Sequence, residues 1–149
     1  MTTYALEQLA VHVGQELGSS DWLAVEQDRI DLFADATGDH QWIHVDPARA
    51  AGGPFGATIA HGYLTLSLLP VLVGQAFSLD GVSRRINYGL DKVRFPSPVT
   101  VGSRVRAVVM LASAVTSERS TQMALRCTVE IEGGDRPACV AETLTVLMP

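Results

Sequence analysis

Between Gly62 and Phe77 the chain reads GYLTLSLLPVLVGQAF, with no Asp, Glu, Lys or Arg and with apolar residues at nearly every helical angle. A helix that is hydrophobic all round has no face for water and must be enclosed by other elements. Its continuous apolar part, Tyr63 to Gly74, is 12 residues long. A membrane span needs roughly 20, so the segment is read as a buried helix. Pro70 lacks a backbone donor and is expected to kink it near Leu66.

What can enclose it follows in the chain. After about residue 82 the texture changes to SRRINYGLDKVRFPSPV, SRVRAVVMLASAVTSE, STQMALRCTVEIE and RPACVAETLTVLM. These stretches alternate and are rich in Val, Leu and Thr. They are separated by Pro96-Ser97-Pro98, Val101-Gly102-Ser103, Glu118-Arg119 and Gly133-Gly134-Asp135. Such a pattern predicts antiparallel strands joined by hairpins. Helices first and strands after make an α+β domain. Curling the antiparallel β-sheet around the long central helix, the hotdog arrangement, is the simple way to bury that helix.

The N-terminal half reads as helices. Leu6, Leu9, Ala10 and Val13 in TTYALEQLAVHVG have helical spacing, and ELGSSDWLAV then reads as loop and short strand. EQDRIDLFADATG puts Ile30, Phe33, Ala34 and Thr37 on one face, with Gly38 positioned to end the helix left-handed. Asp46 and Pro47 give a cap and a first-turn proline, and GGPFG is a loop.

The whole chain, 1–149, is read as a single domain, since its 149 residues suit one core. Hydrophobic residues make up 47% and charged residues 18%, which excludes disorder and hints at an oligomer surface. The net charge of −5 argues against nucleic acid as a partner. Glu7 breaks any apolar leader, and neither a signal segment nor a membrane span is read. Cys127 and Cys139 lack metal-ligand spacing. They are expected to be reduced, buried thiols of a cytoplasmic protein, with a cross-strand disulfide as the other reading. No metal or redox cofactor is expected, because there is neither a ligand cluster nor a dinucleotide fingerprint.

The chemistry concentrates in ATGDHQWIH, residues 36–44. Asp39, His40 and His44 fall within six residues around Trp42 and Ile43, straight after the helix stop. A carboxylate and an imidazole converging on one water can exchange its proton. His40 is read as a rim residue and His12 as surface.

FADATGDHQWIHVDPARA resembles the signature of the MaoC-like, R-specific enoyl-CoA hydratases, at Phe33, Gly38, Asp39, Ile43 and His44. IAHGYLTLSLL is similar to that family's lead-in to its central helix, and INYGLDKVRFPSPVTVGSRV to its following strand pair. The likeness covers roughly residues 5–149. Gln41 and Trp42 stand where the family pattern has Asn and Pro, and this version resembles the NodN-type branch.

The resemblance implies a hotdog fold and reversible hydration of trans-2-enoyl-CoA to (R)-3-hydroxyacyl-CoA. It implies Asp39 and His44 as the pair that moves the proton. His44 as base on water and Asp39 as acid to C2 is the assignment made, and the reverse division stays open. Gly62 opens the helix, so its N–H is free to meet the enolate oxygen. Gln41, Trp42, His61, Tyr63 and Asn87 are candidate pocket residues; structural roles stand open for each of the last four. Arg84, Arg85 and Lys92 lie in SRRINYGLDKVR, whose local charge of +3 suits phosphates of coenzyme A. The acyl carrier is coenzyme A or an acyl carrier protein, and a homodimer is expected because a lone sheet leaves an open edge. Two rival functions remain: a hotdog acyl-CoA thioesterase, and a non-catalytic acyl-binding or dehydratase partner subunit.

Overall fold

A computed structural model describes residues 1–149. Strand β1 (Thr2–Ala5) leads into a 3-10 helix (Leu6–His12), then β2 (Glu16–Ser19) and β3 (Leu23–Ala24). Helices α1 (Gln27–Thr37), α2 (Trp42–Val45), α3 (Pro47–Ala51), α4 (Gly62–Ser67) and α5 (Leu69–Ala76) follow. The chain ends with β4 (Phe77–Asp80), β5 (Arg84–Arg94), β6 (Arg104–Thr116), β7 (Thr121–Ile131) and β8 (Cys139–Met148).

The main sheet is antiparallel in the order β2-β6-β7-β8-β5, with β3 also on the β6 edge. Alternation along the strands does the sorting. Val105, Ala107, Val109 and Leu111 of β6 face inward with Met123, Leu125, Cys127 and Val129 of β7. Leu64, Leu68, Leu69, Leu72 and Ala76 of α4 and α5 join the same apolar core. The helix thus packs one side against the buried face of the sheet.

Four local expectations change. The N-terminal helix is a strand and a 3-10 turn: Thr2–Ala5 pairs in parallel with Phe77–Asp80. Of the four residues expected on its apolar face, Leu9 alone is buried. A partner 75 residues away, visible in the Thr2–Phe77 register, outweighed a weak local period.

The central helix breaks at Leu68, two residues past Leu66, with Pro70 in the first turn of α5. It is also enclosed on one side only. Tyr63, Ser67, Pro70, Val71 and Gly74 form an open stripe at helical spacing. Finally, β5 and β6 are no hairpin. β5 pairs with β8 alone, and residues 95–103 cross over to the far side of the sheet. On the way this crossover hydrogen-bonds the 58–60 segment, through Ala60 N–H to Val99 and Val101 N–H to Thr58.

Local signals were met elsewhere. Gly38 ends α1 at φ 82°, its N–H donating to Ala34. The Asp46 carboxylate caps α3 by accepting from Arg49 N–H, and Pro47 opens it. Cys127 and Cys139 are both buried and unbridged. Cys127 sits opposite Ala141 and Cys139 opposite Val129, so the two are offset along β7 and β8. No helix is long and apolar enough to cross a membrane.

Candidate active site

The turn between α1 and α2 brings Asp39 beside two buried histidines. The left-handed Gly38 reverses the chain, and the Asp39 carboxylate then accepts from Gln41 N–H at 3.3 Å. This turn sets Asp39 at the surface and starts α2, which drives His44 inward to 6% exposure. His61 arrives from the 58–61 segment at 3% exposure.

A carboxylate oxygen of Asp39 and one ring nitrogen from each of His44 and His61 lie within 4.8 Å of one another. One water making two hydrogen bonds of about 2.8 Å at a tetrahedral angle spans about 4.6 Å. The three side chains share no direct hydrogen bond, and this spacing admits a water between them.

His44 has a defined tautomer. Its Nδ1 lies 2.7 Å from the Ile59 carbonyl, which can only accept, so Nδ1 carries the proton. A neutral ring then has its lone pair on Nε2. Ile59 N–H in turn donates to the Ile43 carbonyl at 3.0 Å, so the 58–60 segment clamps α2 from both sides of one residue. Burial holds the His44 imidazole below its ordinary 6.5, and His61 pushes the same way; the Ile59 bond and Asp39 oppose them.

A second brace comes from α1. The Gln27 amide donates to the His44 main-chain carbonyl at 2.8 Å and to Asp31 at 2.9 Å, and accepts from Thr58 Oγ at 2.5 Å. Sequence reasoning missed Gln27 and Thr58, because the two polar side chains meet across 31 residues and neither belongs to a motif.

The other candidates are dispersed. His61 belongs to the cluster, stacked on His44 with ring centroids 3.9 Å apart. Trp42 is half-buried beneath the Arg49 guanidinium, 4.3 Å from the ring centroid. Gln41 is exposed at the start of α2. Gly62 is the first residue of α4, so its N–H has no carbonyl one turn back to bind. A side chain there would meet the Phe95 ring at 3.1 Å. Tyr63 is 72% exposed and stands edge-on to Phe95, with centroids 6.3 Å apart. His40 pairs with Asp35 at 2.8 Å on the surface, outside the cluster.

The β5 residues do not gather around Asp39 and His44. Arg85 and Asn87 line a cleft of about 540 Å³ beside α4 and α5, with Leu66, Val73 and Met123. Neither Asp39, His44 nor His61 lines it. Arg84 and Lys92 are exposed on the same edge strand, Lys92 at φ 50° in a register slip. Successive strand residues face opposite ways, so Arg84 and Arg85 do not form one cationic face.

The sequence expectation of no ligand cluster is corrected here, because the fold brings the donor atoms of Asp39, His44 and His61 together. The ring planes, however, are stacked at 22°. Lone pairs lie in the ring planes, so two stacked rings direct them side by side and not toward one ion at about 2.0–2.1 Å.

The similarity of this chain to known proteins runs along almost all its length. The chain is 55% identical over 144 residues to 3-hydroxyacyl-thioester dehydratase Z of Mycobacterium tuberculosis, covering 96% of this chain and 95% of that one. It is 47% identical over 155 residues to nodulation protein N of Rhizobium leguminosarum bv. viciae, covering 99% and 93%. Among solved structures, the (R)-hydratase from A. caviae involved in PHA biosynthesis superposes with a TM-score of 0.70 at 27% identity, over 89% of this chain and 96% of that one. The model of the MaoC like domain matches residues 8–132. With that match over most of its length, the chain belongs to the MaoC-like dehydratase family and has its hotdog fold.

Proposed function

We infer that this protein catalyses the reversible hydration of a trans-2-enoyl thioester to the (R)-3-hydroxyacyl thioester. The supporting observation is the buried, tautomerically fixed His44 within water-bridging distance of the Asp39 carboxylate. Relatives named dehydratase and hydratase support a hydro-lyase of this class.

In the forward direction His44 Nε2 takes a proton from water as its oxygen bonds to C3. The C2=C3 electron pair moves toward C2 and the thioester carbonyl, building an enolate. The free N–H of Gly62 is the donor assigned to that oxygen, a kind of interaction whose loss typically costs about 3–4 kcal/mol in the transition state. The proton on His44 passes to the Asp39 carboxylate, which delivers it to C2. The pair ends as it began, and one water has been added.

Gln41 and Trp42 border the site and fit roles in holding substrate. Arg85, which lines the cleft beside α4 and α5, is assigned to phosphates of the carrier, coenzyme A or an acyl carrier protein. The open stripe on α4 and α5 and the exposed β5 support a homodimer in which a second copy covers both. A cytoplasmic location fits two reduced thiols. The thioesterase reading is weaker, because α4 and α5 carry no carboxylate to attack or activate.

Purified protein given crotonyl-CoA and longer enoyl-CoAs tests this. Loss of the conjugated enoyl absorbance without free thiol is expected, with the R product on chiral analysis. Thiol release without hydration would make it a thioesterase, and no change in either signal would make it a binding subunit.

A further inference from the structure

His61 touches both members of the proton-transfer pair. Its Nε2 lies 2.9 Å from the main-chain carbonyl of Asp39, so Nε2 carries the proton. Its ring stacks on His44, with centroids 3.9 Å apart and planes 22° apart. Phe33 of α1 lies against it at 4.9 Å. The remaining nitrogen, Nδ1, is buried and has no protein partner. Buried polar atoms are rarely left so unless some other demand fixes the side chain.

We propose that His61 is a positioning residue for the hydration reaction: its Nε2–H anchors the Asp39 turn while its face sets the plane of His44. This rests on Asp39 and His44 being the water-activating pair. The two imidazoles hold opposite tautomers, Nδ1–H on His44 and Nε2–H on His61. Each therefore presents a lone pair on the nitrogen not committed to a carbonyl.

Burial is the main influence holding the His44 ring below its ordinary value, the neighbouring His61 adds to it, and the Ile59 bond and Asp39 oppose it.

The test compares wild type with His61→Phe and His61→Gln on crotonyl-CoA. Phe keeps the stack and loses both nitrogens. Its kcat is expected to fall about tenfold or more with KM changed less than about threefold, as for displaced catalytic groups. Gln restores a donor to the Asp39 carbonyl and should recover part of kcat. A KM rise at unchanged kcat, or a Gln variant no faster than the Phe variant, would overturn the proposal.

Nitrogen-15 NMR of the wild-type protein gives the tautomers without mutation. Opposite tautomers are expected. Identical tautomers on the two rings would overturn the proposal even if the variants fail to fold. Undiminished kcat in both variants removes His61 alone, whereas absence of hydration by the unaltered protein removes the underlying reading.

Discussion

The Nδ1–H of His44 is held by the main-chain carbonyl of Ile59 at 2.7 Å, which leaves the neutral ring one lone pair, on Nε2. Burial keeps the folded-state value of this ring below 6.5, and the sign of the pH effect follows. The folded state binds fewer protons than the unfolded chain between the folded value and 6.5. Stability is therefore unaffected above 6.5 and declines as pH falls from there toward the folded value. The rate declines as His44 itself becomes protonated, with its midpoint below 6.5. Thermal melts and kcat/KM profiles from pH 8 to 5 check both, and His44→Gln should flatten this part of the stability curve.

Gly62→Ala separates packing from chemistry. The added methyl would meet the Phe95 ring at 3.1 Å, but Phe95 is 40% exposed and has room to move. Alanine also regains up to about 1 kcal/mol of helix propensity. The melting temperature should stay within about 4 °C of wild type, the shift that 1 kcal/mol brings in a chain of this size. kcat/KM should still fall about tenfold or more, because the methyl holds the thioester off the N–H. A large loss of stability with normal turnover of the folded fraction would make this glycine a packing residue only.

Val71 is 47% exposed on the stripe of α5 that the sheet leaves uncovered. Light scattering should give twice the chain mass for wild type. Val71→Glu places a charge on that stripe and should shift the equilibrium to monomer. A monomeric wild type would contradict the homodimer.

The two cysteines should be inert. Burial pushes both the Cys127 and Cys139 thiols up to about 11, and the thiolate is the nucleophile. Iodoacetamide at pH 8 should leave the native protein unlabelled for the time that labels the unfolded chain completely. Non-reducing mass spectrometry should find both thiols free.

What could be read beforehand was local. Gly38 and Asp46 act within four residues of themselves, and the alternation of β6 and β7 is internal to each strand, so these were visible in the text. The pairing of β1 with β4 and the place of β5 beside β8 depend on distant partners that no short window contains. The site divides in the same way. Asp39 and His44 are close in sequence and share a motif. The contacts that fix them, from Ile59, Gln27, Thr58 and His61, cross the fold. The cations of β5 were grouped by sequence proximity, and strand alternation then sent neighbours to opposite faces.

The most direct measurement is a double-mutant cycle on crotonyl-CoA hydration with Asp39→Asn, His44→Ala and the two combined. Each single change should reduce kcat/KM by about 100- to 10,000-fold, the usual contribution of positioned proton transfer. Groups that act as one unit on one water lose little more when both are removed, so the double variant should match the worse single within about tenfold. Near wild-type turnover in either single variant, or losses that multiply in the double, would contradict a carboxylate and an imidazole working jointly on one water.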